Sequence, residues 1–228
     1  MLAPSPAAGR LPLLKLLTML SPAFPVGSFS YSHGLEWLID QGRLPDGAAI
    51  EAWIGDLLTL GSGWNDAILL AEAWRAADAG DAARLAAAAE LGEALAGSKE
   101  RRLETMAQGA AFLAANETAW PGSDLGLGGE APYPVAVGAA ASQHGIALAD
   151  ALPAYLNAFA ANLVSVAVRL VPLGQNAGLA ALAALHPAIA ATAARAETSS
   201  VADLGSATLV SEIAAMRHET QYSRVFRT

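Results

Sequence analysis

The chain has 228 residues, of which 54% are hydrophobic and 15% charged, and its formal net charge is −8. This length suits one domain with a sizeable core, and the high apolar content excludes disorder caused by low hydrophobicity. The acidic balance argues against nucleic acid and anionic membranes as partners, and the absence of cysteine excludes disulfides and cysteine-based zinc sites, which fits a reducing cytoplasm.

Helices are predicted wherever apolar residues recur at helical spacing between capping residues and glycines. Residues 1–10, rich in proline and alanine, are predicted to be a flexible lead. In the first half of the chain, we expect helices over 11–20, from Ser28 or Ser32 to 41, 46–60, 65–78 and 81–95, and from Ser98 to the Pro/Gly-rich loop that starts at Trp120.

The second half continues the pattern, with helices predicted over 134–144 and 150–171, two pieces on either side of His186-Pro187, and a last helix over 206–218. In that last helix Leu209, Ile213 and Met216 are expected to face inward. No segment alternates apolar and polar residues as a strand would. The predicted fold is therefore all-α, a single-domain bundle of roughly ten helices over residues 11–218, followed by a tail at 219–228.

Two stretches, 151–173 and 177–194, are apolar enough to raise the question of a membrane. Polar residues such as Asn157 and Arg169 interrupt the first, and His186-Pro187 interrupts the second, so neither offers about 20 clean apolar residues. No signal peptide is recognisable at the amino terminus. We expect a soluble protein whose surplus apolar surface binds other proteins.

Motifs for metal or phosphate chemistry are not apparent. The four histidines, at positions 33, 144, 186 and 218, form no His-x-x-x-His pair, and there is no phosphate-binding loop motif. His144 and His186 are interpreted as helix-end residues. His218 could contact a metal only if a symmetric dimer supplied a second copy, and a structural role is the favoured interpretation.

Two groups of polar residues remain open to interpretation. Glu100, Arg101, Arg102 and Glu104 are expected to form a solvated charged face, with a partner-facing patch that includes Gln108 as the weaker alternative. Asn162, Ser165 and Arg169 share one face of an otherwise apolar helix. They line an interface or a polar passage, or they are ordinary surface, and the sequence does not decide between these.

Residues 21–36, which we call the opening segment, combine two prolines with two glycines and end in His33 and Glu36, one helical turn apart. Pro22 and Pro25 exclude a helix interior, while Gly27 and Gly34 permit tight turns. Taken alone, the pattern predicts a rigid loop that leads into a helix.

The tail has an unusual composition for a chain end. Arginines 217, 224 and 227 alternate with Tyr222 and Phe226, residue types that are enriched in binding hot spots. The pattern predicts docking onto an acidic or carboxylate-rich surface, and simple fraying is the alternative.

The run Ser-Pro-x-x-Pro-x-Gly-x-x-x-x-Ser-x-Gly-Leu-Glu in the opening segment, together with the tail, resembles the UreF family of urease accessory proteins. Three further blocks, at 100–109, 132–145 and 162–175, match in the same order. The resemblance therefore extends over residues 12–228.

The resemblance implies an all-helical, homodimeric, cytoplasmic chaperone without a catalytic site. Such proteins act with a UreD/UreH-type scaffold and the GTPase UreG, modulate GTP hydrolysis, and assist the insertion of nickel into apo-urease. Some relatives are thought to bind nickel through a cysteine near the carboxyl terminus, and this chain has none. We therefore predict that the chain holds no metal or cofactor of its own, and that the complex handles the nickel.

By position, the resemblance implies partner contacts in the opening segment and in the tail. The residues concerned are Pro22, Pro25, Gly27, Ser28, Tyr31, His33, Gly34 and Glu36, with Tyr222, Ser223, Arg224 and Phe226. Two alternatives are an enzyme with a pocket built from His33, Glu36 and Arg169, and a small-ligand-binding regulator, which would need a basic DNA-reading element that is not visible.

Overall fold

The computed structural model describes residues 10–227, and within that range it contains ten α-helices, two short 3-10 turns and no strand, which confirms the all-α prediction. The predicted flexible lead at 1–10 lies, apart from Arg10, outside the described residues. The helices are α1 Leu11–Met19, α2 Leu35–Asp40, α3 Gly47–Leu60, α4 Ser62–Asp78, α5 Ala82–Ala94, α6 Lys99–Ala119, α7 Tyr133–Gln143, α8 Leu148–Leu170, α9 Gln175–Thr198 and α10 Leu209–His218.

Helices α4 and α7 form the centre of the bundle. Every residue of α7 from Pro134 to Ala141 is buried, and none of them is charged, as expected of a helix that is apolar on all faces. At Gly138 an added Cβ would lie 2.3 Å from the carbonyl oxygen of Leu70, so the two helices touch backbone to backbone. The other helices surround this pair, with α8 packed against both α4 and α9.

Several helix starts agree with the capping residues in the sequence. The side chains of Asp46, Asp81 and Ser98 accept hydrogen bonds from the first turns of α3, α5 and α6. Some predicted boundaries were wrong. Helix α2 begins at Leu35 rather than at Ser28 or Ser32, and α10 begins at Leu209 rather than at 206. Helix α4 begins at Ser62 rather than at Asn65, and α9 is a single helix that runs through Pro187. Because Pro187 is exposed, water can solvate the carbonyl group that the proline leaves without a donor.

The predicted orientation of α10 was also wrong. Leu209 is 70% exposed and Met216 48% exposed, and Ile213 likewise faces outward. The inward face carries the small residues Ala214 and Ala215, because the backbone of Gly34 approaches them so closely that a Cβ there would lie 2.7 Å from the Ala215 nitrogen. Because this close contact admits only small residues on the inward face of α10, the large side chains lie on its outward face.

Helices α8 and α9 are both long and apolar enough, by length and composition, to cross a membrane. Half of the apolar stretch of α8 is buried inside the protein, where it packs against α4 and α9, as the core helix of a bundle does. In α9 the buried share is 28%. Composition alone does not distinguish such helices from membrane spans.

We predict that Gly138→Ala lowers the free energy of unfolding by about 1–3 kcal/mol, because its Cβ would collide with α4. Gly55→Ala is the matched control, since Gly55 also lies inside a helix but an added Cβ would meet only Leu185 at an ordinary 3.8 Å. Urea denaturation measures both. Equal effects of the two substitutions would show that α4 and α7 are not in backbone contact.

Candidate functional site

The fold brings together four regions that are far apart in sequence: the opening segment, the start of α6, the end of α10 and the tail. At their meeting point lie Glu36, Glu100, His218 and Arg224, which we call the carboxylate–histidine cluster. The fold therefore joins the two segments in which the sequence placed its candidate residues.

His218 is the centre of this cluster and is completely buried. Its Nδ1 lies 2.8 Å from Oε2 of Glu100, and its Nε2 lies 3.1 Å from Oε2 of Glu36. An ionised carboxylate can only accept hydrogen bonds, and a neutral imidazole has a single N–H to donate. The two contacts therefore need one additional proton, carried by the ring or by a carboxyl group.

The same two carboxylates hold the tail. Glu36 accepts hydrogen bonds from the backbone N–H groups of Val225 (2.6 Å) and Phe226 (2.9 Å), while Arg224 donates to Glu100 at 2.8 Å. Hydrogen bonds to ionised groups are roughly twice as strong as neutral ones. The tail from Arg224 onward is therefore fixed to the bundle by charge-assisted contacts.

Apolar and backbone contacts reinforce this docking. Phe226 is only 4% exposed, and the guanidinium of Arg169 lies 4.4 Å from the centre of its ring. The N–H of Arg227 donates to the carbonyl of Ser30 at 2.7 Å. The alternative that the tail frays does not hold for these residues, whereas Tyr222 projects fully into solvent.

The opening segment has the backbone geometry that this arrangement requires. His33 and Gly34 are both left-handed, with φ of 53° and 76°, and together they reverse the chain just before α2. For Gly34 this costs little, but for histidine the conformation is uncommon. The reversal places Glu36, in the first turn of α2, beside His218.

A second buried group adjoins the cluster. His33 Nε2 lies 2.7 Å from Oε1 of Glu104, and Arg101 contacts both residues, while Gln108 donates to Glu104 at 3.1 Å. Burial opposes ionisation of Glu104, but the neighbouring Arg101 and His33 outweigh it and lower its pKa to about 2. Burial and then Arg101 lower the pKa of His33, so that its ring is neutral at pH 7.

This second group forms part of the floor of a cavity with a volume of about 680 Å³. Leucines of α1, the opening segment and small residues of α8 form its walls. Asp66 also lies on the floor, where it accepts a hydrogen bond from the Tyr155 hydroxyl at 2.9 Å. Burial raises the pKa of Asp66 to about 6, and burial together with Asp66 raises the pKa of Tyr155.

The residues predicted as partner contacts fall into two sets. The exposed set can reach another protein directly and consists of Pro22, Pro25, Tyr222, Ser223 and Arg224, with Gly27 and Ser28 partly covered. The other set is buried and supports the tail or the turn, and consists of Tyr31, His33, Gly34, Glu36 and Phe226. Their roles in binding a partner stay predictions.

The prediction of a solvated charged face on α6 holds for Arg102, which is exposed, but was wrong for Glu100, Arg101 and Glu104. Glu100, Glu104 and Gln108 recur every four residues on the buried face and continue into Phe112 and Asn116. The polar side chains tolerate burial because His218, His33 and the arginines satisfy them. The spacing in the sequence was the available signal, but the partners that make it a buried face come from elsewhere in the chain.

The structure also shows the role of the polar face of α8, which the sequence did not decide. Arg169 donates to the carbonyl of Phe29 at 2.8 Å, and Asn162 donates to that of Tyr31 at 3.4 Å, so this face of α8 holds the opening segment. Asn162 and Ser165 also line the cavity. The alternative pocket of His33, Glu36 and Arg169 does not form, since only His33 lines the cavity.

His144 and His186 were both predicted to lie at helix ends, and the structure confirms this for one of them. His144 follows the last residue of α7, as predicted, whereas His186 lies exposed within α9. Over residues 10–227, no group of three or more histidine, aspartate or glutamate side chains is arranged to hold a metal ion.

Comparison with known proteins gives one consistent family. The model of the UreF family matches residues 44–186, which run from just before α3 into α9. The urease accessory protein UreF 1 of Brucella anthropi is 54% identical over 218 residues, covering 95% of this chain and 94% of that protein. UreF of Mesorhizobium japonicum is 52% identical over 218 residues, covering 95% of this chain and 96% of that protein.

We predict that Glu36→Gln releases the tail. A glutamine has one acceptor oxygen where Glu36 has two, and its amide N–H group would face another backbone donor. Hydrogen exchange of the Val225 and Phe226 amides should accelerate at least tenfold, as measured by mass spectrometry or NMR. Glu90→Gln, on the exposed side of α5, is the control and should change nothing. Unchanged exchange at both amides in Glu36→Gln would contradict the docking described above.

We also predict a specific pH dependence for Asp66. Its pKa of about 6 in the folded protein exceeds the ordinary value of 3.8, so the folded state binds its proton more tightly. The stability from this group is fully present below about pH 4 and is lost as pH rises through 6. Asp66→Asn should remove that loss, so its unfolding free energy relative to the parent should rise between pH 4 and pH 7. A constant difference across this range would contradict the prediction.

Proposed function

The chain belongs to the UreF family of urease accessory proteins, and we propose that it acts in urease maturation as a non-catalytic adaptor that assists nickel insertion into apo-urease. The observation that carries this proposal is the docked tail. Buried Glu36 accepts two backbone N–H groups of the tail and buried Glu100 accepts from the Arg224 side chain, while Tyr222 remains fully exposed. A tail held in this way presents a defined surface to another protein.

That surface continues onto α10. Leu209, Ile213 and Met216 lie on one face of the helix and are exposed, and Tyr222 and Val225 follow them in the tail. We call this set of five residues the docking surface. Large apolar side chains on an ordered scaffold are typical of binding hot spots, because little conformational entropy is lost when a partner covers them.

In this proposal the adaptor bridges a UreD/UreH-type scaffold and the GTPase UreG, and the docking surface contacts one of the two. Modulation of GTP hydrolysis then follows from how the bound GTPase is oriented, since the phosphoryl-transfer groups belong to the GTPase itself. Arg224 is paired with Glu100 and would have to leave that pair to act as an arginine finger. Its role in the proposal is to hold the tail.

The remaining parts of the proposal concern assembly. We propose a cytoplasmic homodimer that binds neither nucleic acid nor membrane, consistent with the net charge of −8. The nickel is cargo of the complex, and this chain supplies no metal site or cofactor. Support for an adaptor rather than an enzyme also comes from the polar clusters, whose charged groups are bonded to one another.

The proposal is tested with the double variant Tyr222→Ala/Val225→Asp. Both side chains are exposed, so the variant should fold and melt like the parent. Size-exclusion chromatography with light scattering, on mixtures with the cognate UreD/UreH-type and UreG-type proteins, should show the loss of one complex. Urease activation in cells should fall at least tenfold.

Leu179→Asp is the matched control, because Leu179 is also an exposed large apolar residue but lies on α9 rather than on α10 or the tail. It should retain both complexes and full activation. If the double variant retained both complexes and activated urease normally, the docking surface would have no role. If the parent bound neither partner protein, the adaptor function itself would be refuted.

A further inference from the structure

Helix α1 closes one side of the cavity but is weakly held. Of its nine residues, only Leu16 and Met19 are buried, and no other helix packs extensively against it. Leu16 and Leu17, together with Leu20 just after the helix, line the cavity. The helix therefore covers the cavity and is joined to the core through Leu16 and Met19.

The apolar pattern of α1 does not fix its orientation. Leucines 11, 13, 14 and 17 are each more than half exposed, so both faces of the helix carry large apolar side chains. A helix that is apolar on all sides has no single face that must point inward. Burial of Leu16 and Met19 sets the inward face, and a further polar interaction holds the helix there.

That interaction is a polar chain that begins at Lys15. Its Nζ lies 3.0 Å from Nδ1 of His144, whose Nε2 lies 3.0 Å from Oδ1 of Asn116. Asn116 in turn donates to Ser123 at 2.8 Å, and the Trp120 ring lies 4.8 Å from the imidazole. Each of these contacts pairs a donor with an acceptor if the imidazole is neutral, with Nδ1 accepting from Lys15 and Nε2 donating to Asn116.

The charge state of the His144 ring agrees with this assignment of donors and acceptors. Burial and the nearby Lys15 lower the pKa of His144 to about 4, so the ring is neutral at pH 7. Within the described residues, the contact between Lys15 and His144 is the one side-chain hydrogen bond that joins α1 to a distant part of the chain. It attaches α1 to the end of α7 and the loop after α6.

We propose that α1 is a hinged cover of the cavity, latched by Lys15 on His144, and that its opening controls access to the polar floor at Asp66 and Glu104. The pivot lies between Leu20 and Phe24, and opening withdraws Leu16 and Met19 from the core, so the open state is a minor one and loss of the latch raises its population. The proposal is independent of the function proposed above.

The absence of cysteine makes access to the cavity directly measurable. Ala161→Cys places one thiol on the cavity wall, and Ala190→Cys places one on the exposed side of α9. Each is labelled with a small and a bulky maleimide at pH 7. Adding Lys15→Met should raise the rate of bulky labelling at position 161 at least tenfold and leave the rate at position 190 unchanged.

Two further variants separate a latch from a general loss of structure. Lys15→Arg keeps a donor for Nδ1 and should restore the parent rate, while Lys99→Met, at the other lysine, should have no effect. If Lys15→Met melts at a lower temperature than the parent, the labelling is repeated with His144→Phe. This variant keeps a ring beside Trp120 but removes the acceptor for Lys15, so it should also accelerate bulky labelling at position 161. Bulky labelling at the parent rate in the folded latch variants would overturn the proposal, and so would equal acceleration at position 190.

Discussion

The carboxylate of Glu36 is the contact on which the arrangement of the site depends. It accepts two backbone N–H groups of the tail and also faces His218, which links it to Glu100 and through that residue to Arg224. A buried ionic group is strongly destabilising once it loses a partner, so such a set tends to be present as a whole or not at all. The turn at Gly34 and the small residues of α10 are what allow the segments to come this close.

This arrangement separates the roles of residues that the sequence had grouped together. The buried members of the opening segment and tail hold the backbone, and the exposed members are available to another protein. Substitution of a buried member would affect binding through the position of the tail, whereas substitution of Tyr222 would affect it directly. The same separation explains why an acidic protein ends in a basic, aromatic segment: the arginine and the backbone donors complement carboxylates within the chain.

Much of the secondary structure could be predicted because it depends on local interactions. Caps such as Asp46 and Ser98, and glycines such as Gly42, mark the ends of helices through contacts only a few residues apart. The orientation of α10 and the buried face of α6 could not be predicted in this way. Both depend on which residues approach from distant parts of the chain: Gly34 in the first case, and His218 with His33 in the second.

The central claim about this structure is that the tail docks as a unit. The most direct test is a double-mutant cycle on the free energy of unfolding with Glu36→Gln and Arg224→Ala. If either change alone releases the tail, the double variant should lose less stability than the sum of the single losses, by more than about 0.5 kcal/mol. Arg75→Ala, which removes a separate contact to the end of α9, should combine additively with Glu36→Gln. Additive losses for Glu36→Gln and Arg224→Ala would contradict the claim.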